Sequence, residues 1–360
     1  MMPSLKRVAL PTLIAAALAT SALAGCGHDV REVAPLSGSD QQSDVETSAQ
    51  SEAQSGDQPV AESVEPTLDE ARIQRIVDEV QAVLDDAEVE NSSKPLKQRL
   101  IGGALAMRKG QFNRAKKTGT DVPPLQIEIN VASATASDEW PRVLLIGSSA
   151  RAEDPAEVFI LTQEDAKADY MLENWVRALG GNSVRGVAVE SGSIVLADDA
   201  EGFLLSPEET LNTYVKHLNK PKKKAYKVFD DKTIGPQQRE ELEKLNDAVE
   251  EAGEVRANAS MADYPITAVQ LATGEALVAG SITYKTVYHR TIAGSTLTLG
   301  GTPAAYLDDP EVEGTATVKY LVNVFFTVPP EGSEEEIKIV GGERVILSVK
   351  KDDEAAPEGE

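Results

Sequence analysis

The sequence predicts an α+β protein of two domains, each a helix pair packed on a curved antiparallel sheet. Three observations carry the prediction. Ile73, Ile76, Val77, Val80, Leu84 and Ala87 recur at spacings of three and four, which is one face of a helix. Leu125 to Val131 and Val318 to Val328 alternate apolar and polar residues, the period of a strand with one buried face. The order of two helices followed by strands then occurs twice, over 66–200 and 201–350, with no residue-level identity between the halves. Helices segregated from an antiparallel sheet are the α+β pattern.

Taken in order, Thr67 and Glu70 have the spacing of a capping box and open the first helix. A second helix is expected from Pro95 to about Arg114, carrying Leu96, Leu100, Ala104 and Met107 inward, with turn residues at Asp121 to Pro124. Strands follow at 125–131, 142–146, 157–162, 170–179, 184–189 and 193–196. Met171, Trp175 and Leu179 also fit a helical spacing, so 170–179 is the ambiguous member.

The second half opens at Ser206-Pro207-Glu208-Glu209. Ser is placed as N-cap, Pro at the first helical position and Glu at the third. Leu211, Tyr214, Val215 and Leu218 form the apolar face, and the Lys220–Lys224 run stops the helix. A further helix from Pro236 to about Ala252 buries Leu242, Leu245 and Val249, with Gly253 as its stop. Thr273-Gly274 is a hairpin signal between 266–272 and 275–286. The long 318–328 strand and the 337–340 and 344–349 strands, separated by Gly341-Gly342, complete the order. Helices leading into a long curved meander resemble, in order only, the nuclear-transport-factor-2-like and cystatin-like folds.

Ahead of both halves lies an export signal. Lys6 and Arg7 precede an apolar stretch, Val8 to Ala24, interrupted by Pro11 and short for a membrane-spanning helix. Leu23-Ala24-Gly25 then runs into Cys26, the single cysteine of the chain. These residues resemble the lipobox of bacterial lipoproteins. The resemblance implies cleavage after Gly25 and a diacylglycerol thioether on Cys26, so residues 1–25 are the signal peptide. It also implies a cell-membrane protein, lipid-anchored on the extracytoplasmic face. Two or more acyl chains anchor stably, where one binds only marginally. Residues 28–65 are rich in Ser, Gln, Asp, Glu and Gly, a composition unable to offset the entropy of ordering. Residues 26–65 are therefore expected to be a flexible tether with a root-mean-square span of about 35 Å.

Charge narrows the partners. The chain carries 35 basic and 59 acidic residues, a formal net charge of -24. Such a surface repels nucleic acid and anionic lipid headgroups, and no nucleic-acid partner is expected. Asp352, Asp353, Glu354, Glu358 and Glu360 place an acidic tail at 351–360.

Chemistry is sparse. The three histidines are His28, in the tether; His217, near a helix C-terminus where a dipole contact is the ordinary role; and His289, at a strand end. With Cys26 lipidated there is no thiolate for zinc, and no two histidines stand at ligand spacing. Asp198-Asp199-Ala200-Glu201 and Asp308-Asp309-Pro310-Glu311 read as turns, lacking an EF-hand arrangement. No nucleophile elbow, phosphate loop or dinucleotide fingerprint occurs. The expectation is therefore no catalytic residue, no metal and no cofactor.

Gly202-Phe203-Leu204-Leu205-Ser206-Pro207-Glu208-Glu209-Thr210 with Tyr214, and Arg99-Leu100-Ile101-Gly102-Gly103-Ala104-Leu105-Ala106-Met107-Arg108, resemble uncharacterised lipoproteins of high-GC Gram-positive bacteria, the actinobacteria. That resemblance implies location and fold and carries no activity. The expected function is a non-enzymatic envelope module that binds a protein, a wall polymer or a small molecule. The alternative is a hydrolase using carboxylates or a single histidine. Trp175, Tyr320 and Phe326 are the candidates for lining a pocket or interface, and Lys220 to Lys227 form a basic run suited to an anionic lipid or wall polymer.

Overall fold

The computed structural model describes residues 66–150, 155–180, 184, 187, 189–220 and 227–357. The signal peptide, Cys26, His28, the tether, most of the Lys220–Lys227 run and the last residues of the acidic tail lie outside the described residues.

The fold is mixed α and β with one large antiparallel sheet. The first half supplies helices α1 (Glu70–Val89) and α2 (Gly102–Thr118). It continues with strands β1 (Val131–Ala134), β2 (Arg142–Gly147), β3 (Glu157–Gln163) and β4 (Met171–Ala178), then the short β5 (Ile194–Leu196). The second half supplies α3 (Pro207–Asn219), β6 (Phe229–Asp230), α4 (Ile234–Val249), β7 (Gly253–Met261), β8 (Thr267–Gln270) and β9 (Ala276–Arg290). A small excursion follows: β10 (Leu297–Thr298), α5 (Gly301–Ala304) and β11 (Glu311–Val312). The long strands β12 (Thr315–Val328) and β13 (Ile337–Asp352) end the sheet.

The strand order is β1-β2-β3-β4-β13-β12-β9-β8-β5, with β7 also on β9 and β6 on β13. Two meanders meet where β13 pairs β4 through Gly341 and Gly342. The order then returns to its start, because Ser193, just before β5, bridges Thr135, just after β1. The Ser133 and Ser193 hydroxyls lie 2.6 Å apart at that closure.

Burial on two faces explains the apolar runs. In β2, Leu144 and Ile146 pack under α1 and α2, whereas Val143 and Leu145 face a separate cluster with Leu277, Ala279 and Phe325 of the other meander. In β12, Val322, Val324 and Phe326 join the core beneath α3 and α4, while Phe325 faces the first meander. Strands buried on both faces lose the alternation of half-exposed ones and read as continuous apolar runs.

Several expectations hold as read. Ser206 and Glu209 form a reciprocal capping box at the start of α3, 171–178 is strand, and the hairpin turns at Gly274, φ 84°, with Gln270 opposite Ala276. Others differ. The N-cap of α1 is Asp69, whose carboxylate accepts the Arg72 N–H at 2.8 Å; the Thr67 hydroxyl instead donates to Thr135 O. Helix 95–114 is interrupted: Pro95–Gln98 is a 3-10 turn, and Leu100 bridges Leu172 of β4 before α2 starts. The 125–129 segment alternates in burial without joining the sheet. Its partner is the Gln81 side chain, which donates to Leu125 O and accepts from Ile127 N–H. Val184 and Val187 are in no strand. Gly253 opens β7 rather than ending a helix, and 337–352 is one strand with register shifts rather than two. Strand 253–261 carries a weak alternation, because two of its inward residues, Ala257 and Ala259, are small between Val255 and Met261.

The Gly102-Gly103 pair fixes how α2 meets the sheet. Gly102 takes φ +51°, the left-handed region that favours glycine. A methyl at Gly103 would stand 2.5 Å from Ser281 Oγ and 2.9 Å from Asn323 Oδ1. Gly103→Ala is therefore expected to cost about 1–3 kcal/mol through overpacking, measured as a denaturant midpoint shift. Gly180→Ala, where nothing lies within 4 Å, should be near neutral; equal shifts would refute the contact.

Candidate functional site

Three side-chain clusters gather the groups that carry chemistry. The first joins α3 to α4. Asp231, its side chain 1 % exposed, accepts the Gly235 N–H at 3.0 and 3.1 Å at the start of α4. It also accepts the Tyr214 hydroxyl at 3.3 Å and lies 3.2 Å from His217 Nε2. A carboxylate at one helix N-terminus and an imidazole in another's last turn both complement the helix dipoles. Burial pushes the Tyr214 hydroxyl well above its ordinary value, and the adjacent Asp231 charge adds to it. Tyr214 therefore stays a neutral donor. A histidine oriented by a carboxylate is the basic half of a hydrolytic triad; here the carboxylate's contacts clamp two helices together.

The second cluster lies at the junction of the two meanders. The β3–β4 register slips between Ile160 and Leu161, leaving Glu173 opposite no residue of β3. This bulge turns Glu173 inward, where it is 4 % exposed and accepts hydroxyl hydrogen bonds from Thr162 at 3.0 Å and from Thr267. Burial raises its pKa, and the two hydroxyls only partly offset that. Beside it, Asn174 donates to Ser281, Ser281 to Asn323, and Asn323 to Trp175 O.

The third cluster lies under α4. Arg344 donates to Glu241 at 2.9 Å and lies 5.0 Å over the Tyr320 ring, and Tyr284 packs against Tyr320 at 6.5 Å. Burial raises the Tyr284 and Tyr320 hydroxyls to about 12.

These positions correct the aromatic expectation. Trp175 is fully buried in the core under α1 and α2, while Tyr320 and Phe326 belong to the core under α3 and α4. Phe326 packs edge-on to Tyr214 at 5.0 Å. Among the described residues the three line no common pocket, because Tyr320 and Phe326 are packed within one core and Trp175 within the other. His289, 39 % exposed, lies 3.7 Å from Glu254 on an open sheet face. Asp198–Glu201 and Asp308–Glu311 form turns, with Ala200 N–H on Ala197 O and Glu311 N–H on Asp309 Oδ1. Among the described residues no three metal-ligating side chains stand together, and no helix is long and apolar enough to cross a membrane. Beside the end of α4, a depression lined by Val249, Ala252, Thr296 and Leu297 among others holds about 10 Å³, room for one water.

Sequence reading missed Asp231 and Glu173. The only signals were Gly235, four residues after Asp231, and Glu173 interrupting an apolar run. Comparison with known proteins gives no matching family model, no matching curated protein and no matching solved structure.

A raised folded pKa means that Glu173 contributes most below the ordinary carboxylate range, about 4.3, and that this contribution is lost as pH rises through the folded value. Glu173→Gln, which mimics the neutral acid, should gain stability over the parent progressively as pH increases. Denaturant midpoints across pH 4 to 9 test this; a difference that does not change with pH would reject a raised Glu173 pKa.

Proposed function

We propose that the chain is a lipid-anchored, extracytoplasmic envelope lipoprotein whose body is a binding module rather than an enzyme. The observation that carries this is Ala24-Gly25 leading directly into Cys26 after a basic and apolar leader. The chemistry of the body agrees. Asp231 and Glu173, two deeply buried carboxyl groups, hold helix to helix and meander to meander. His217 faces Asp231, and the tyrosines are kept neutral by burial. The partner is a protein, an envelope polymer or a small molecule.

The anchor is tested by palmitate labelling in the native host. Label is expected on the protein and absent from Cys26→Ala. Label persisting in that variant, or an unmodified Cys26 thiol in the native protein, would reject the anchor.

The body is further read as two units, 66–200 and 201–350, each a helix pair packed on a curved antiparallel sheet of nuclear-transport-factor-2-like or cystatin-like order. The repeated element order supports this, and the cluster of Val143, Ile160, Leu277 and Phe325 makes the units interdependent. Fragments 66–200 and 201–357 should copurify as a folded pair when coexpressed; fragments that do not associate would reject that reading.

A further inference from the structure

Ladder register defines an open face on the second meander, opposite α3 and α4. One row across it reads Asn258, Lys285, Lys319, Ser348; the next reads Arg256, Val287, Thr317, Lys350. Because partners in register share a face, these eight side chains form one surface, and Arg256, Asn258, Lys285 and Lys350 are exposed. The row on one side, Ser260, Thr283, Leu321 and Val345, passes into the core under α2. The row on the other side carries Glu254, His289, Thr315 and Asp352. The two exposed rows therefore hold four cationic side chains and no acid, in a chain of net charge -24.

Lys285 and Lys319 stand directly opposite each other, an arrangement that destabilises a sheet. Among the described residues, the ion pairs leave Lys285, Lys319 and Lys350 unneutralised, while Arg256 meets Glu254 at 2.5 Å. Lysines often guard exposed sheet edges against pairing. That does not account for these two, because β9 and β12 are interior strands with neighbours on both sides. Thr317, Asn258 and Ser348 interleave hydrogen-bond donors among the charges.

We propose that this sheet face docks the body onto an anionic phospholipid surface. Choosing a membrane over another polyanion rests on the lipid-anchor reading. On that reading the anchoring residue, Cys26, precedes the first described residue, Pro66, by only 40 positions in sequence, and the body stays near the anchoring leaflet. The acidic remainder of the surface is repelled by the same leaflet, so the charge distribution selects this face.

The test uses the mature chain, 26–360, with Cys26→Ser, so that vesicle binding is independent of acylation. Flotation with phosphatidylcholine vesicles should leave it unbound, and vesicles containing phosphatidylglycerol should carry it, less so as salt rises. At about fivefold per lysine, Lys285→Gln, Lys319→Gln and Lys350→Gln together should weaken binding on the order of a hundredfold. A thermal midpoint no lower than the parent's would establish that the triple variant is folded; if it is lower, the three single variants are read instead, each at about fivefold. Binding indifferent to phosphatidylglycerol or to the lysines, or binding to soluble polyphosphate but to no vesicle, would overturn the proposal. Loss of palmitate label with vesicle binding intact would overturn the anchor alone.

Discussion

The first turn of α2 packs its backbone directly against three side chains from three strands. Asn174 of β4, Ser281 of β9 and Asn323 of β12 lie under Gly103 and are linked to one another. That contact spans both meanders. β4 belongs to the first, β9 and β12 to the second, and β4 and β13 share only two residue pairs of ladder. Two pairs of backbone bonds align sheets poorly by themselves. The polar seam adds bonds that must all be satisfied together, since a buried donor left without its partner costs about 1–3 kcal/mol. Only glycine lets the helix backbone approach closely enough, and the helix in turn excludes water from the seam.

Elsewhere, amide side chains stand in for missing strands. The outer edge of β7 has no neighbouring strand, yet Asn246 donates to Val255 O and accepts from Val255 N–H. Asn219 does the same for Ala259. Gln81 serves 125–127 likewise. In each case a helix supplies an amide that copies one residue of a ladder. This ties helix to sheet and blunts an edge that would otherwise template association.

These substitutions mark where the sequence was legible and where it was not. Ser206 and Glu209 announce a helix start because a capping box is local. The 73–87 stripe and the 318–328 alternation are likewise local periodicities. The 125–129 segment carries the same alternation as a true strand, and only the position of Gln81, more than forty residues earlier, decides otherwise. Helix 95–114 looked continuous because Leu96 and Leu100 keep helical spacing. Their burial is real, but Leu100 achieves it by bridging Leu172. The clusters at Asp231 and Glu173 were hard to read for the same reason: Tyr214 and His217, and Thr267, reach them from other elements, and one carboxylate among 59 stands out little.

Two buried carboxyl groups show how different neighbours act against the same desolvation. Glu343 and Glu173 are both raised by burial. Glu343 lies 2.8 Å from the Arg177 guanidinium and accepts from Gln111, so its negative charge has a counterion. Glu173 meets only hydroxyls, which supply dipoles and no charge, with Glu164 adding like-charge repulsion. An ion pair can offset much of the desolvation of a carboxylate if its geometry is good; two hydroxyls cannot. Glu343 therefore belongs with α2 and β4 as part of a charged brace. Glu173 meets no counterion at the seam, and its raised pKa couples that seam to pH.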